Sequence, residues 1–105
     1  MTVLYKHKTF GEHLRNLREE ACLTLKEVSI AIKTDSSLLA KIERSQRQPT
    51  RQFIKEVAAF FNVSEKDLLD EFLSDQIASK IINENADLNI LRVAESKVKY
   101  IKSQL

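Results

Sequence analysis

Helix-start signals recur along this chain with almost no glycine or proline between them, and that combination restricts the fold more than any other feature. Thr9-Phe10-Gly11-Glu12 and Thr24-Leu25-Lys26-Glu27 each set a hydroxyl three residues before a glutamate. In that spacing the two side chains can reciprocally accept the orphan amides of a first helical turn. Ser64-Glu65-Lys66-Asp67 is a weaker version, while Asp35 and Pro49-Thr50 offer two further starts. One Gly and one Pro in 105 residues leave few strand-turn signals. An all-α fold of helices with short joints is expected.

Apolar periodicity fills in the helices. Phe10, Leu14, Leu17 and Ala21 recur at helical spacing, so a first helix should run to about Ala21. Leu25, Val28 and Ile32 form the stripe of a short second helix. Asp35 can cap a third, with Leu38, Leu39 and Ile42 on one face. The fourth, opened by Pro49-Thr50, carries Phe53, Ile54, Val57, Ala58, Phe60 and Phe61 over more than half its circumference and should be the most buried. The fifth follows Ser64 and faces inward through Leu68, Leu69 and Phe72. Ile77, Ile81 and Ile82 suggest a separate segment ending at a break, Asn83-Glu84-Asn85. Beyond it Leu91, Ala94, Val98, Ile101 and Leu105 make a 3-4 seam of about two heptads, too short to be self-sufficient. That helix must dock, on its own domain or across a dimer. The expected organisation is an N-terminal arm over 1–8, a five-helix domain over 9–73 and a helical extension over 74–105.

The joint between the second and third helices, "AIKTDSSL", poses a difficulty. A tight bend between helices usually recruits a glycine for a positive φ, yet this stretch has Lys33 at the bend.

Net charge is only +2, but its distribution is uneven. Residues 1–52 carry ten Lys/Arg against six acids, and residues 53–105 carry seven against nine. A basic front half suits an anionic partner. On a helical wheel Ser36, Ser37, Ala40, Lys41 and Arg44 of the third helix oppose its apolar stripe. A helix of this width fits the DNA major groove, where its N-terminal residues lie nearest the base edges. Lys41 can reach guanine O6 and N7; Arg44, Arg47 and Arg51 suit phosphates.

The stretches "FGEHLRNLREE", "LTLKEVSIAIKTDSSLLAKIERSQRQPT" and "FIKEVAAFFNVSEKDLL" carry a resemblance. Their order of a basic first helix, a "KIER" ending, a nearby Pro-Thr and a closing "FNVSEKDLL" resembles the Xre/Cro-type helix-turn-helix family of lambda-repressor-like DNA-binding domains, from Phe10 to about Phe72. The resemblance implies a five-helix lambda-repressor-like domain whose third helix reads DNA. It implies base contacts from Ser36, Ser37 and Lys41, with Leu38 against a thymine methyl. Phosphate contacts fall to Thr24, Arg44 and Arg47, with Lys33 in a turn near the backbone. Arg18 and Glu43 match an ion pair between the first and third helices; an unpaired carboxylate at Glu43 would be costly to desolvate. Leu25 stands where the family usually has glutamine. Cys22, Lys33 and Ser45 stand where it favours glycine.

Other chemistries find little support. His7 and His13 lack the spacing of paired helical ligands, Cys22 has no second thiol, and no nucleophile elbow or glycine-rich phosphate loop occurs. No enzyme activity, metal or cofactor is expected, and Cys22 is expected to be half-buried and structural. The longest apolar run, Val57 to Phe61, is too short for a bilayer, and no secretory pattern is seen, so a cytoplasmic, nucleoid-associated protein is expected. The functional expectation is a homodimeric regulator on a pseudo-palindromic double-stranded operator, a repressor or a restriction–modification controller-like protein. The alternative is an adaptor or antitoxin whose C-terminal helices bind a protein partner.

Overall fold

A computed structural model describes residues 9–105; the expected N-terminal arm, 1–8, lies outside the described residues. Six helices follow in order: α1 Phe10–Glu20, α2 Leu25–Ala31, α3 Ser36–Glu43, α4 Arg51–Phe61, α5 Glu65–Asn83 and α6 Ile90–Ser103. No strand occurs among the described residues.

Each of the first two helices begins at its hydroxyl cap. Thr9 Oγ1 accepts from Glu12 N at 3.1 Å. At α2 the box closes fully: Glu27 N donates to Thr24 Oγ1 at 3.0 Å, and Thr24 N donates to Glu27 Oε1 at 2.9 Å. Those bonds stabilise the charged form and hold the Glu27 carboxyl below its usual range. Thr50 and Ser64 accept from Phe53 N and Asp67 N in the same manner. Asp35 departs from expectation, because it sits at the N-cap of α3 with extended backbone but makes no side-chain cap bond.

The first five helices end in a shared motif. Leu23 N returns to Arg18 O, Thr34 N to Ser29 O, Gln46 N to Lys41 O, Val63 N to Ala58 O and Ala86 N to Ile81 O, at 2.8–3.1 Å. These are six-to-one closures that demand a left-handed residue just before the donor. Those residues are Cys22, Lys33, Ser45, Asn62 and Asn85, with φ between 50 and 60°. None is glycine. Asparagine tolerates this region, whereas cysteine, lysine and serine lose on the order of 1 kcal/mol each. The Lys33 bend is therefore a true tight turn carrying strain. Leu23 and Val63 pack against the core one residue after their turns, which supports two of the five closures.

The sole glycine serves another purpose. Gly11 lies inside α1, and a Cβ there would stand 2.5 Å from Ile42 O and 2.6 Å from Glu43 O. Its missing side chain lets α1 approach the backbone at the end of α3.

The described chain falls into two compact units, one ending at Asp75 and one spanning Gln76–Leu105. In the first, Phe10, Leu14, Val28, Leu39, Ile42, Ile54, Val57 and Leu68 form the centre of one apolar core. Helix α4 contributes four buried residues, as its composition suggested, though Phe60 at its end is exposed. Within this unit the middle of α5 is tied to α1 by polar contacts that the apolar pattern does not reveal. His13 Nδ1 meets Glu71 Oε1, and Phe10 N donates to Asp75 Oδ2 at 2.9 Å. Burial pushes the Glu71 and Asp75 carboxyls up, opposed at Glu71 by His13 and at Asp75 by the Phe10 amide.

The second unit comprises the last part of α5 and α6. Instead of a separate segment around Ile77, residues 65–83 form one continuous helix. No glycine, proline or cap interrupts it, so it runs until the left-handed Asn85 closes its end. Helix α6 has no buried residue. The expected seam is exposed on it, except that Leu105 lies beyond its last helical residue.

Candidate nucleic-acid interface

Helix α3 is held between α1 and α2 with its apolar side, Leu39 and Ile42, buried. Its one carboxylate is withdrawn from the surface. Arg18 Nε donates to Glu43 Oε2 at 2.8 Å and Arg18 Nη2 to Glu43 Oε1 at 3.0 Å. The side chains are only 14% and 4% exposed. The third guanidinium nitrogen donates to Leu23 O at 3.0 Å, bracing the end of α1 as well. This fork-on-fork geometry explains why the Glu43 hydrogen bond dominates the upward shift of the Arg18 pKa. It also removes Glu43's charge from the outer face.

That outer face consists of hydroxyls followed by cations. Ser37, Lys41 and Arg44 are exposed and Ser36 is partly so. The serines occupy the first turn, where unbonded amides and the helix dipole favour anions. Arg44 is half-anchored, its Nε reaching Ala40 O at 3.4 Å. Leu38 is only partly accessible and packs against the core, so its inward role is the stronger. Thr24 Oγ1 accepts from Glu27 N in the α2 cap, and a hydroxyl so placed can still donate its own proton to a phosphate oxygen.

The structure brings two of the expected phosphate ligands together. Lys33, in the α2–α3 turn, and Arg47, in the α3–α4 loop, line one open groove with Thr34, Gln48 and Thr50. Its floor includes Ile32, Leu38 and Phe53, and its volume is about 220 Å³. That is below the range of drug-sized ligand sites, and one carboxylate, Glu56, lines the groove beside the two cations. Thr34, Gln48 and Thr50 escaped the sequence reading because they are ordinary loop residues until two loops converge. Arg51 opens α4, exposed but outside this groove. Cys22 is exposed rather than half-buried, because the turn it occupies lies on the surface.

Among the described residues no cluster of His, Cys, Asp and Glu has the geometry of a metal site, and no helix is long and apolar enough to cross a membrane.

Comparison with known proteins places this arrangement. The profile of a family described as a helix-turn-helix domain matches residues 9–72. The HTH-type transcriptional regulator DdrOP3 of Deinococcus deserti is 33% identical over 79 residues, covering 73% of this chain. The chain spans only 61% of that relative's length. The N-terminal DNA-binding domain of SinR from Bacillus subtilis superposes with a TM-score of 0.56 at 33% identity, over 62% of this chain and 96% of that one. The restriction–modification controller protein C.AhdI from Aeromonas hydrophila gives 0.53 at 27% identity, over 56% and 89%.

Proposed function

Since the chain belongs to the helix-turn-helix domain family, with a lambda-repressor-like fold, we propose that it is a sequence-specific transcriptional regulator of double-stranded DNA. The observation that carries this reading is the outer face of α3, where hydroxyls and cations stand exposed while the helix's one carboxylate is buried against Arg18. In this reading α3 enters the major groove. Ser36, Ser37 and Lys41 read base edges, and Leu38 touches a thymine methyl at most. Thr24, Lys33, Arg44, Arg47 and Arg51 hold phosphates, assisted by Thr34 and Gln48 in the shared groove. Such contacts fix register without reading sequence. The protein works in the cytoplasm on the nucleoid and performs no catalysis.

One domain of this size offers few base contacts, so useful specificity calls for two half-sites and a homodimer. The seam of Leu91, Ala94, Val98 and Ile101 on α6, with Leu105 just beyond the helix, supplies the dimer contact. The similarity to a restriction–modification controller favours a repressor or controller role of that kind. A second reading, an adaptor or antitoxin that docks a protein partner, draws its support from the same exposed face of α6.

Selection of bound sequences from random duplexes tests the first reading: a motif of two half-sites is expected, and no enrichment at moderate salt would overturn it. Lys41→Ala should relax sequence preference. Arg47→Ala should weaken all sequences alike and reduce the slope of affinity against salt by about 1. Equal loss of preference in both variants would refute the division of roles.

A further inference from the structure

Helix α6 is the element with the least explanation inside its own chain. It has no buried residue, and Leu91, Val98 and Ile101 are each about half exposed. Val93 and Tyr100 are exposed as well, off this stripe. The stripe is still the longest apolar line on a charged helix, and such a line marks a docking face. What it docks against can be read from the charges beside the stripe.

With Leu91, Val98 and Leu105 at one seam position and Ala94 and Ile101 at the other, Glu95 and Lys102 fall on one edge of the stripe. Lys97 and Gln104 fall on the opposite edge, with Ile90. A parallel pairing of two copies would set Lys97 against the partner's Lys102 twice. An antiparallel pairing brings like edges together. In the register that sets Val98 beside the partner's Ile101, all within the helical span of α6, Glu95 faces the partner's Lys102 twice. Lys97 then lies toward the end of the partner's α6, where the C-cap residue, Gln104 of the partner subunit, carries no charge. The alternative antiparallel register, shifted by one heptad, would oppose Glu95 to its own copy and Lys97 to its own copy.

From this self-complementarity we infer that the occupant of the α6 face is α6 of a second copy, antiparallel, with two symmetric Glu95–Lys102 contacts selecting both direction and register. The inference rests on the dimeric reading above and sharpens it. Within one chain Glu95 is only loosely occupied, 3.8 Å from Lys99 with both side chains largely exposed, so it is free to turn toward a partner.

The test is sedimentation equilibrium on the full chain and on Lys102→Glu, Glu95→Lys and the double exchange. Each single exchange creates two like-charge contacts and should weaken the dimer roughly fivefold or more. The double exchange should return it to within about twofold of the original. Mixing the two single variants should also restore dimer, as a heterodimer, since both cross-pairs become opposite in sign. Circular dichroism of each variant checks that α6 remains helical. Tighter association of Lys102→Glu would overturn the antiparallel arrangement in favour of the parallel one while leaving the dimer intact. A dimer indifferent to all three variants would move the interface away from α6. A chain that stays monomeric would overturn the dimeric reading, and this one with it, leaving the face to another partner.

Discussion

Three residues at turns hold backbone conformations that their side chains disfavour. Cys22, Lys33 and Ser45 have φ of 58, 55 and 60°, and each closes a helix through two returning hydrogen bonds. Replacing Cys22 by glycine should relieve strain and raise unfolding free energy by up to about 1 kcal/mol in urea titrations. DNA affinity should not change. Lys33→Gly should bring a similar gain in stability together with weaker DNA binding, because Lys33 lines the groove shared with Arg47. Loss of stability in either variant would mean that the side chain contributes more than the backbone strain costs. Gly11 presents the opposite case. Adding a methyl group there drives it into the carbonyls of Ile42 and Glu43, so Gly11→Ala should destabilise by about 1–3 kcal/mol despite alanine's better helix propensity. A stabilised variant would show that α1 can withdraw from α3 freely. The strained positions were legible in the sequence as family glycines replaced by other residues. The role of Gly11 was not, since its neighbours are the backbone of Ile42 and Glu43 at the far end of α3.

At the scale of elements, α3 is positioned by two unlike forces. Leu39 and Ile42 drive it into the core, while the Arg18–Glu43 fork fixes the end of α3 against α1. Breaking one partner of a well-buried pair leaves the other charge desolvated and alone. Arg18→Ala should therefore cost about 3 kcal/mol, read as a lowered midpoint in thermal or urea unfolding. An unchanged midpoint would refute this role. Helix boundaries at caps followed directly from local chemistry, as at Thr24, where both hydrogen bonds of the box form between residues three apart. The union of the expected fifth helix and the segment around Ile77 did not follow. Apolar spacing loses its phase there because α5 buries Leu68 and Phe72 in the first unit, whereas Ile77 and Ile82 are exposed in the second. One helix serving two environments shows no single stripe.

At the scale of the molecule, every buried apolar residue among the described residues lies between Phe10 and Phe72. The first unit thus holds the core it needs, and ending the chain at Asn83 should shift its melting temperature by only a few degrees. The same truncation removes α6, so self-association should be lost and affinity for a two-half-site duplex should fall at least about tenfold, measured by titration at fixed salt. A truncated chain that still dimerises would remove α6 from the proposed assembly. The amino-acid sequence by itself determined the helical class, most helix starts, most residues of the core and the candidate DNA-facing side chains, though Ala21 and Phe60, on expected apolar faces, are exposed. Capping, periodicity and helical facing depend on neighbours a few positions away. Only the tertiary structure decided that non-glycine residues occupy left-handed turns, that Gly11 admits the backbone of α3, that His13 and Asp75 clip α5 to α1, and that Lys33 and Arg47 share a groove. The last three depend on segments distant along the chain reaching the same point in space, which no local spacing encodes, whereas the turns close locally but with residue types that disfavour them.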